Sequence, residues 1–144
     1  MRTIKRIFVH CTASRGDADV ESVRAVFRAR GWKRPGYHYV IDASGEVTQL
    51  LDESLTANGV RGYNATSVHV AYIGGIDAGG RPADTRTEAQ RRALRTVVAG
   101  VLSRHPDAEV LGHRDISPDT NGNGIVDPWE RIKECPCFDV KNDL

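Results

Sequence analysis

Two short apolar runs each stop at a histidine: Ile7-Phe8-Val9 leads into His10, and Val110-Leu111-Gly112 leads into His113. Such runs read as buried strands, and the chain between them alternates strand-like and helix-like patterns. Residues 3–10 form the first strand. Asp17 or Asp19 can cap a helix running to about residue 30, with Val20, Val23, Val26 and Phe27 on one face and Gly31 as the stop. Residues 38–43 and 46–51 flank Ser44-Gly45 as a hairpin, and residues 67–73 form another strand. Thr87 and Gln90 make a capping box for a helix to about residue 104, with Ala93, Leu94, Val97, Val98, Val101 and Leu102 turned inward. Residues 108–111 are the last strand. The order β-α-β-β-β-α-β predicts an α/β fold: one domain, residues 1–144, with a central mixed sheet covered by helices. At 144 residues the chain can bury a core without disulfides.

Composition excludes several roles. With 20 basic against 19 acidic residues the net charge is +1, which gives no electrostatic footprint for nucleic acid. No apolar run reaches the roughly 20 residues needed to span a bilayer. The basic start and its short apolar stretch read as a strand and not as a secretory signal. Cys11, Cys135 and Cys137 are odd in number, with two of them close together, so they make a poor disulfide framework. Metal ligation or ordinary buried thiols suit them better.

In open α/β sheets, ligands gather at the carboxyl ends of strands, where His10 and His113 are expected. Catalytic zinc takes three nitrogen, sulfur or oxygen ligands and keeps a fourth position open, and His10, His113 and Cys135 can supply such a set. Taken singly, each histidine reads equally as a hydrogen-bonded strand-end residue, and each cysteine as a small hydrophobe. Cys137 rivals Cys135 as the thiolate.

Several short motifs occur in a fixed order. They are Val9-His10-Cys11-Thr12-Ala13-Ser14, Gly36-Tyr37-His38-Tyr39-Val40-Ile41, Gly62-Tyr63-Asn64, Ser67-Val68-His69-Val70, Ile73-Gly74-Gly75-Ile76-Asp77 and Lys133-Glu134-Cys135-Pro136-Cys137-Phe138-Asp139. Together they resemble the type 2 N-acetylmuramoyl-L-alanine amidases, above all the small phage lysozymes that act as amidases. The peptidoglycan recognition proteins share that fold. The resemblance spans nearly the whole chain. It implies zinc held by His10, His113 and Cys135, a tyrosine beside the metal at Tyr37, and a catalytic lysine at Lys133. It also prefers Cys135 to Cys137, because the family pattern fixes the residue before the proline. Many relatives carry a carboxylate in place of Cys135 and lack the lysine, so this chain sides with the phage-lysozyme branch.

The implied reaction is zinc-dependent hydrolysis of the amide between muramic acid and the first L-alanine of peptidoglycan. Lys133 would stabilise the oxyanion, and Tyr37 would hold the water or donate to that oxyanion. Asn64 and His69 are candidates for substrate contact, although a sheet histidine is equally a satisfied packing residue. His38 is expected to pack or orient the hairpin, His105 to sit at a helix end, and Cys11 to lie in the core. The expected partner is peptidoglycan, met by a monomer made in the cytoplasm and released or delivered to the wall. A non-catalytic peptidoglycan-binding module, a protein-binding regulator and a zinc peptidase of the stem peptide are the alternatives.

One stretch departs from the phage-lysozyme pattern. Residues 119–130, Asp119-Thr120-Asn121-Gly122-Asn123-Gly124-Ile125-Val126-Asp127-Pro128-Trp129-Glu130, match the EF-hand calcium loop. Asp119, Asn121, Asn123, the Ile125 carbonyl, Asp127 and Glu130 supply the expected oxygens. Ser117-Pro118 leaves no room for the entering helix, so a structural calcium that fixes the segment before Lys133 and Cys135 is expected rather than a sensor. The other reading is a metal-free Asn/Gly-rich turn.

Overall fold

The structure is a computed structural model and describes residues 2–116 and 134–144. Five strands build one mixed sheet: β1 (Arg6–Cys11), β2 (Tyr39–Ile41), β3 (Val47–Gln49), β4 (Ser67–Tyr72) and β5 (Glu109–Gly112), in the order β3-β2-β4-β1-β5. β1 runs parallel to both β4 and β5, β2 parallel to β4, and only the β2–β3 pair is antiparallel. The expected mixed sheet is therefore present, and the carboxyl ends of β1, β2, β4 and β5 share one edge.

Helices follow the capping signals. Helix α1 (Val20–Ala29) is capped by Asp19, whose side chain accepts from the Ser22 amide, and Gly31 ends it with φ +75°. Helix α2 (Glu88–Arg104) opens with the Thr87/Gln90 capping box. Gln90, nearly fully buried, also donates from Nε2 to the Ile41 and Ile73 carbonyls, so the cap ties α2 to β2 and to the end of β4. A short helix α3 (Val140–Asp143) follows the cysteine pair. Val26 was grouped with the buried face of α1, but it is 48% exposed; Val23 and Phe27 carry the burial.

The sheet's two faces differ. Ile7, Val9, Cys11, Val68, Val70 and Tyr72 meet Leu94, Val98 and Val101 of α2 in the larger core. The alternate residues point the other way. Ala71 and Ile73 pack with Val23 and Phe27, while Phe8 joins Val60 and Leu111. His10, His38 and His69 are all buried. No helix among the described residues is long and apolar enough to cross a membrane.

Candidate metal centre

His10 is the fifth residue of β1, on the same face as Phe8, and is 1% exposed. His113 begins the 3-10 turn that follows β5. Their rings lie 5.1 Å apart, edge to face. Cys135 reaches them from the far side of the chain through a set of backbone anchors. The Arg114 amide donates to the Cys135 carbonyl at 2.8 Å, and the Tyr72 hydroxyl donates to the Pro136 carbonyl at 2.7 Å. Gly112 permits this approach, because a β carbon there would lie 2.8 Å from the Pro136 ring. The Cys11 amide points at Cys135 Sγ at 3.2 Å.

The outcome is one compact donor group: ligand atoms of His10, His113 and Cys135 all lie within 4.8 Å of one another. His10 Nδ1 stands 3.8 Å from Cys135 Sγ. Tetrahedral zinc bonds of about 2.1 Å to nitrogen and 2.3 Å to sulfur would set those atoms about 3.6 Å apart. Two imidazoles and one thiol, converging without a carboxylate among the three, match zinc in both size and softness. Cys137 stays outside the group and directs its thiol to the Gly75 carbonyl at 3.5 Å. Hydrogen bonding with Cys135 and then burial push the Cys11 thiol up to about 12. A hydrogen bond with Cys11 and burial raise Cys137 as well. Both remain thiols.

Tyr37 packs its ring 5.2 Å from that of His10 and donates from its hydroxyl to the Cys11 carbonyl at 3.3 Å. Burial, with the Cys135 and Cys11 sulfurs adding to it, raises its pKa, so the group is a neutral phenol. An open groove leads away from Tyr37 between α1 and the loop after β1, with Thr12, Ser14, Ser22, Arg30 and the exposed Val26 along it. The groove was not foreseen from sequence, since it depends on how α1 lies over the sheet.

His69 departs from its expected place on a substrate surface. It has no exposed area and lies behind His10, with Nδ1 2.9 Å from His10 Nε2. Burial first, then the charges of His38, His113 and Arg2, lower its pKa to about 3, so it is neutral. Asn64 is partly exposed, and its side-chain oxygen accepts the Val60 amide at 2.8 Å, which shapes the loop under Tyr63. His38 packs as expected: it accepts the His69 amide at Nδ1 and meets the Leu55 carbonyl at Nε2. His105 caps the end of α2, 3.6 Å from Glu53. Lys133 and the six calcium candidates, Asp119, Asn121, Asn123, Ile125, Asp127 and Glu130, lie outside the described residues.

Comparison with known proteins agrees with this geometry. The chain matches the N-acetylmuramoyl-L-alanine amidase family over residues 1–136, a span that includes all three donors. It is 36% identical over 138 residues to the endolysin of Klebsiella phage KP32, covering 94% of this chain and 82% of that one. The endolysin of Escherichia phage T7 is 31% identical over 137 residues, with the same coverage. In fold, the chain is similar to the Ph2119 endolysin from a Thermus scotoductus bacteriophage, with TM-score 0.71, 23% identity, and 94% and 79% of the two chains covered. It is also similar to Drosophila PGRP-LB, with TM-score 0.70, 17% identity, and 94% and 76% covered. From the family match and the endolysin identities together, the chain belongs to the N-acetylmuramoyl-L-alanine amidase family.

Proposed function

We propose that this chain hydrolyses the amide bond between N-acetylmuramoyl residues and L-alanine in peptidoglycan, using zinc held by His10, His113 and Cys135. One observation carries the reading: in a chain of this family, those three donors converge within 4.8 Å at the carboxyl edge of the parallel strands. Zinc, when bound, would supply Lewis acidity toward the amide carbonyl and an acidified water.

The chain's own groups supply the rest. Tyr37 is a neutral donor beside His10, suited to hydrogen-bond the oxygen that gains charge as the amide carbonyl becomes tetrahedral. Lys133 brings a compact cation for the same charge; this role rests on its position two residues before Cys135 in the family motif. The groove beyond Tyr37 offers Thr12, Ser14 and Ser22 as hydrogen-bonding groups and Arg30 as a cation, a lining that suits a peptide bearing free carboxylates. Val26, exposed at the groove, gives the peptide an apolar contact. The endolysin relatives favour action on the bacterial wall, and we place this chain in the same role.

The 119–130 segment adds a second metal to the proposal. Its oxygen spacing suits calcium, and its place upstream of Cys135 would let calcium hold the third zinc donor in position. Chelating calcium alone should then weaken zinc binding; unchanged zinc affinity in calcium-free protein would remove this element.

Digestion of purified peptidoglycan followed by mass spectrometry tests the activity, with zinc-stripped protein as control. The expected products are stem peptides beginning with L-alanine and glycan strands with intact lactyl groups. Peptidoglycan that retains the protein but stays uncut would make the chain a binding module.

A further inference from the structure

The buried side of the metal centre contains a hydrogen bond that amidase chemistry does not require. His10 turns Nδ1 toward Cys135 Sγ and places Nε2 2.9 Å from His69 Nδ1. Two neutral ring nitrogens at this distance share one proton, so one donates and the other accepts. A nitrogen that takes a metal carries no proton. If Nδ1 of His10 serves the metal, the His10 proton sits on Nε2 and must be donated to His69 Nδ1. The proton of His69 is then forced onto Nε2, which is buried and has no hydrogen-bond partner among the described residues.

Packing holds the His69 ring in this pose. It stacks 5.7 Å from Phe8 at 10° and 5.9 Å from His38 at 2°. Above it, Gly59 approaches so closely that an added β carbon would lie 2.3 Å from His69 Nδ1. The backbone is fixed as well, because the His69 amide donates to His38 Nδ1 at 3.0 Å. That bond keeps the His38 proton on Nε2, where it meets the Leu55 carbonyl at 2.8 Å. A fully buried nitrogen left without a partner would be selected against unless the opposite nitrogen of the ring were needed.

We propose that His69 is a positioning residue that sets the tautomer of His10, with His69 Nδ1 as the acceptor that keeps the His10 proton on Nε2 and leaves Nδ1 for zinc. The inference rests on His10, His113 and Cys135 being the zinc ligands. In most zinc sites the corresponding acceptor is a carboxylate or a backbone carbonyl. Here a neutral imidazole fills that place, and Gly59 is the residue that makes room for it.

Two measurements on the full chain test this. In the zinc-loaded, nitrogen-15-labelled protein, two-bond proton–nitrogen correlations should show His69 protonated on Nε2 and bare on Nδ1. A His69 proton on Nδ1 would overturn the proposal. The second compares His69→Asn with His69→Leu, side chains of similar shape, only the first of which offers an acceptor near the Nδ1 position. Zinc affinity is read by competition with a chelator, alongside thermal unfolding of each metal-free variant. His69→Leu should weaken zinc binding about 10- to 100-fold, and His69→Asn should restore most of that loss. Equal losses in both variants, or none in His69→Leu, would reduce His69 to packing. A wild-type chain that binds no zinc would overturn the ligand reading and this inference with it, an outcome distinct from tight wild-type binding untouched by His69→Leu.

Discussion

β4 presents two unlike faces from consecutive residues. Val68, Val70 and Tyr72 lie against α2 among apolar side chains, where fit and volume decide the energy. His69, between two of them, lies against Phe8 and His38 and meets His10, where the position of one proton decides it. The apolar face can exchange one aliphatic for another of similar size at modest cost. The histidine face cannot, because each ring nitrogen there has an assigned donor or acceptor role. Stability should therefore follow the first face, and metal binding the second.

Substitutions can separate the two. Cys135→Ser should have the largest effect on function, with zinc content and amide cleavage both falling to background while the fold survives; metal analysis and peptidoglycan digestion would check it. On the apolar face, Leu94→Ala opens a cavity at a fully buried site and should cost about 2–5 kcal/mol in denaturant unfolding. Zinc affinity of the folded fraction should barely change.

Gly59→Ala lies between these extremes. Its new β carbon would displace the His69 ring, so zinc affinity should drop about tenfold, in line with loss of an outer-shell partner. A variant with lowered stability and unchanged zinc affinity would break the proposed division between the faces.

A smaller effect is expected where the C-terminal segment meets the apolar face. Arg86, its side chain 1% exposed, sits 3.4 Å over the Phe138 ring and donates to both carboxylate oxygens of Asp84. Burial alone would raise the Asp84 pKa. The Arg86 hydrogen bonds, with the charges of Arg86 and Arg91, outweigh it and hold the carboxyl below its ordinary value. A depressed folded pKa contributes stability above the unfolded value, near 4, and that stability is lost as pH falls through the folded value. Acid titration of unfolding should show this loss in wild type and less of it in Asp84→Asn, a difference of about 1–2 kcal/mol at neutral pH. Val26→Ser, at an exposed position, should change stability by less than about 0.5 kcal/mol.

The same contrast explains what was legible in the sequence. The apolar face announced itself through period: Leu94, Val98 and Val101 recur at helical spacing, and Thr87 with Gln90 marks where α2 begins. His10 and His113 could be placed at strand ends because each follows an apolar run. Alternation also set His69 opposite Val68 and Val70. It could not say that β1 and β4 pair in parallel with Phe8 beside His69, which brings the ring behind His10 rather than toward solvent. Gly59 left no local signal, since its role arises only when the loop after β3 folds over β4. The convergence of Cys135 likewise depends on the Arg114, Tyr72 and Gly112 contacts, which join residues far apart in the chain.

X-ray absorption at the zinc edge of the purified full chain tests the central claim most directly. Two nitrogen ligands at about 2.0–2.1 Å, one sulfur at about 2.3 Å and a fourth light atom are expected. A shell without sulfur, or with two or more sulfurs, would contradict a centre built from His10, His113 and Cys135.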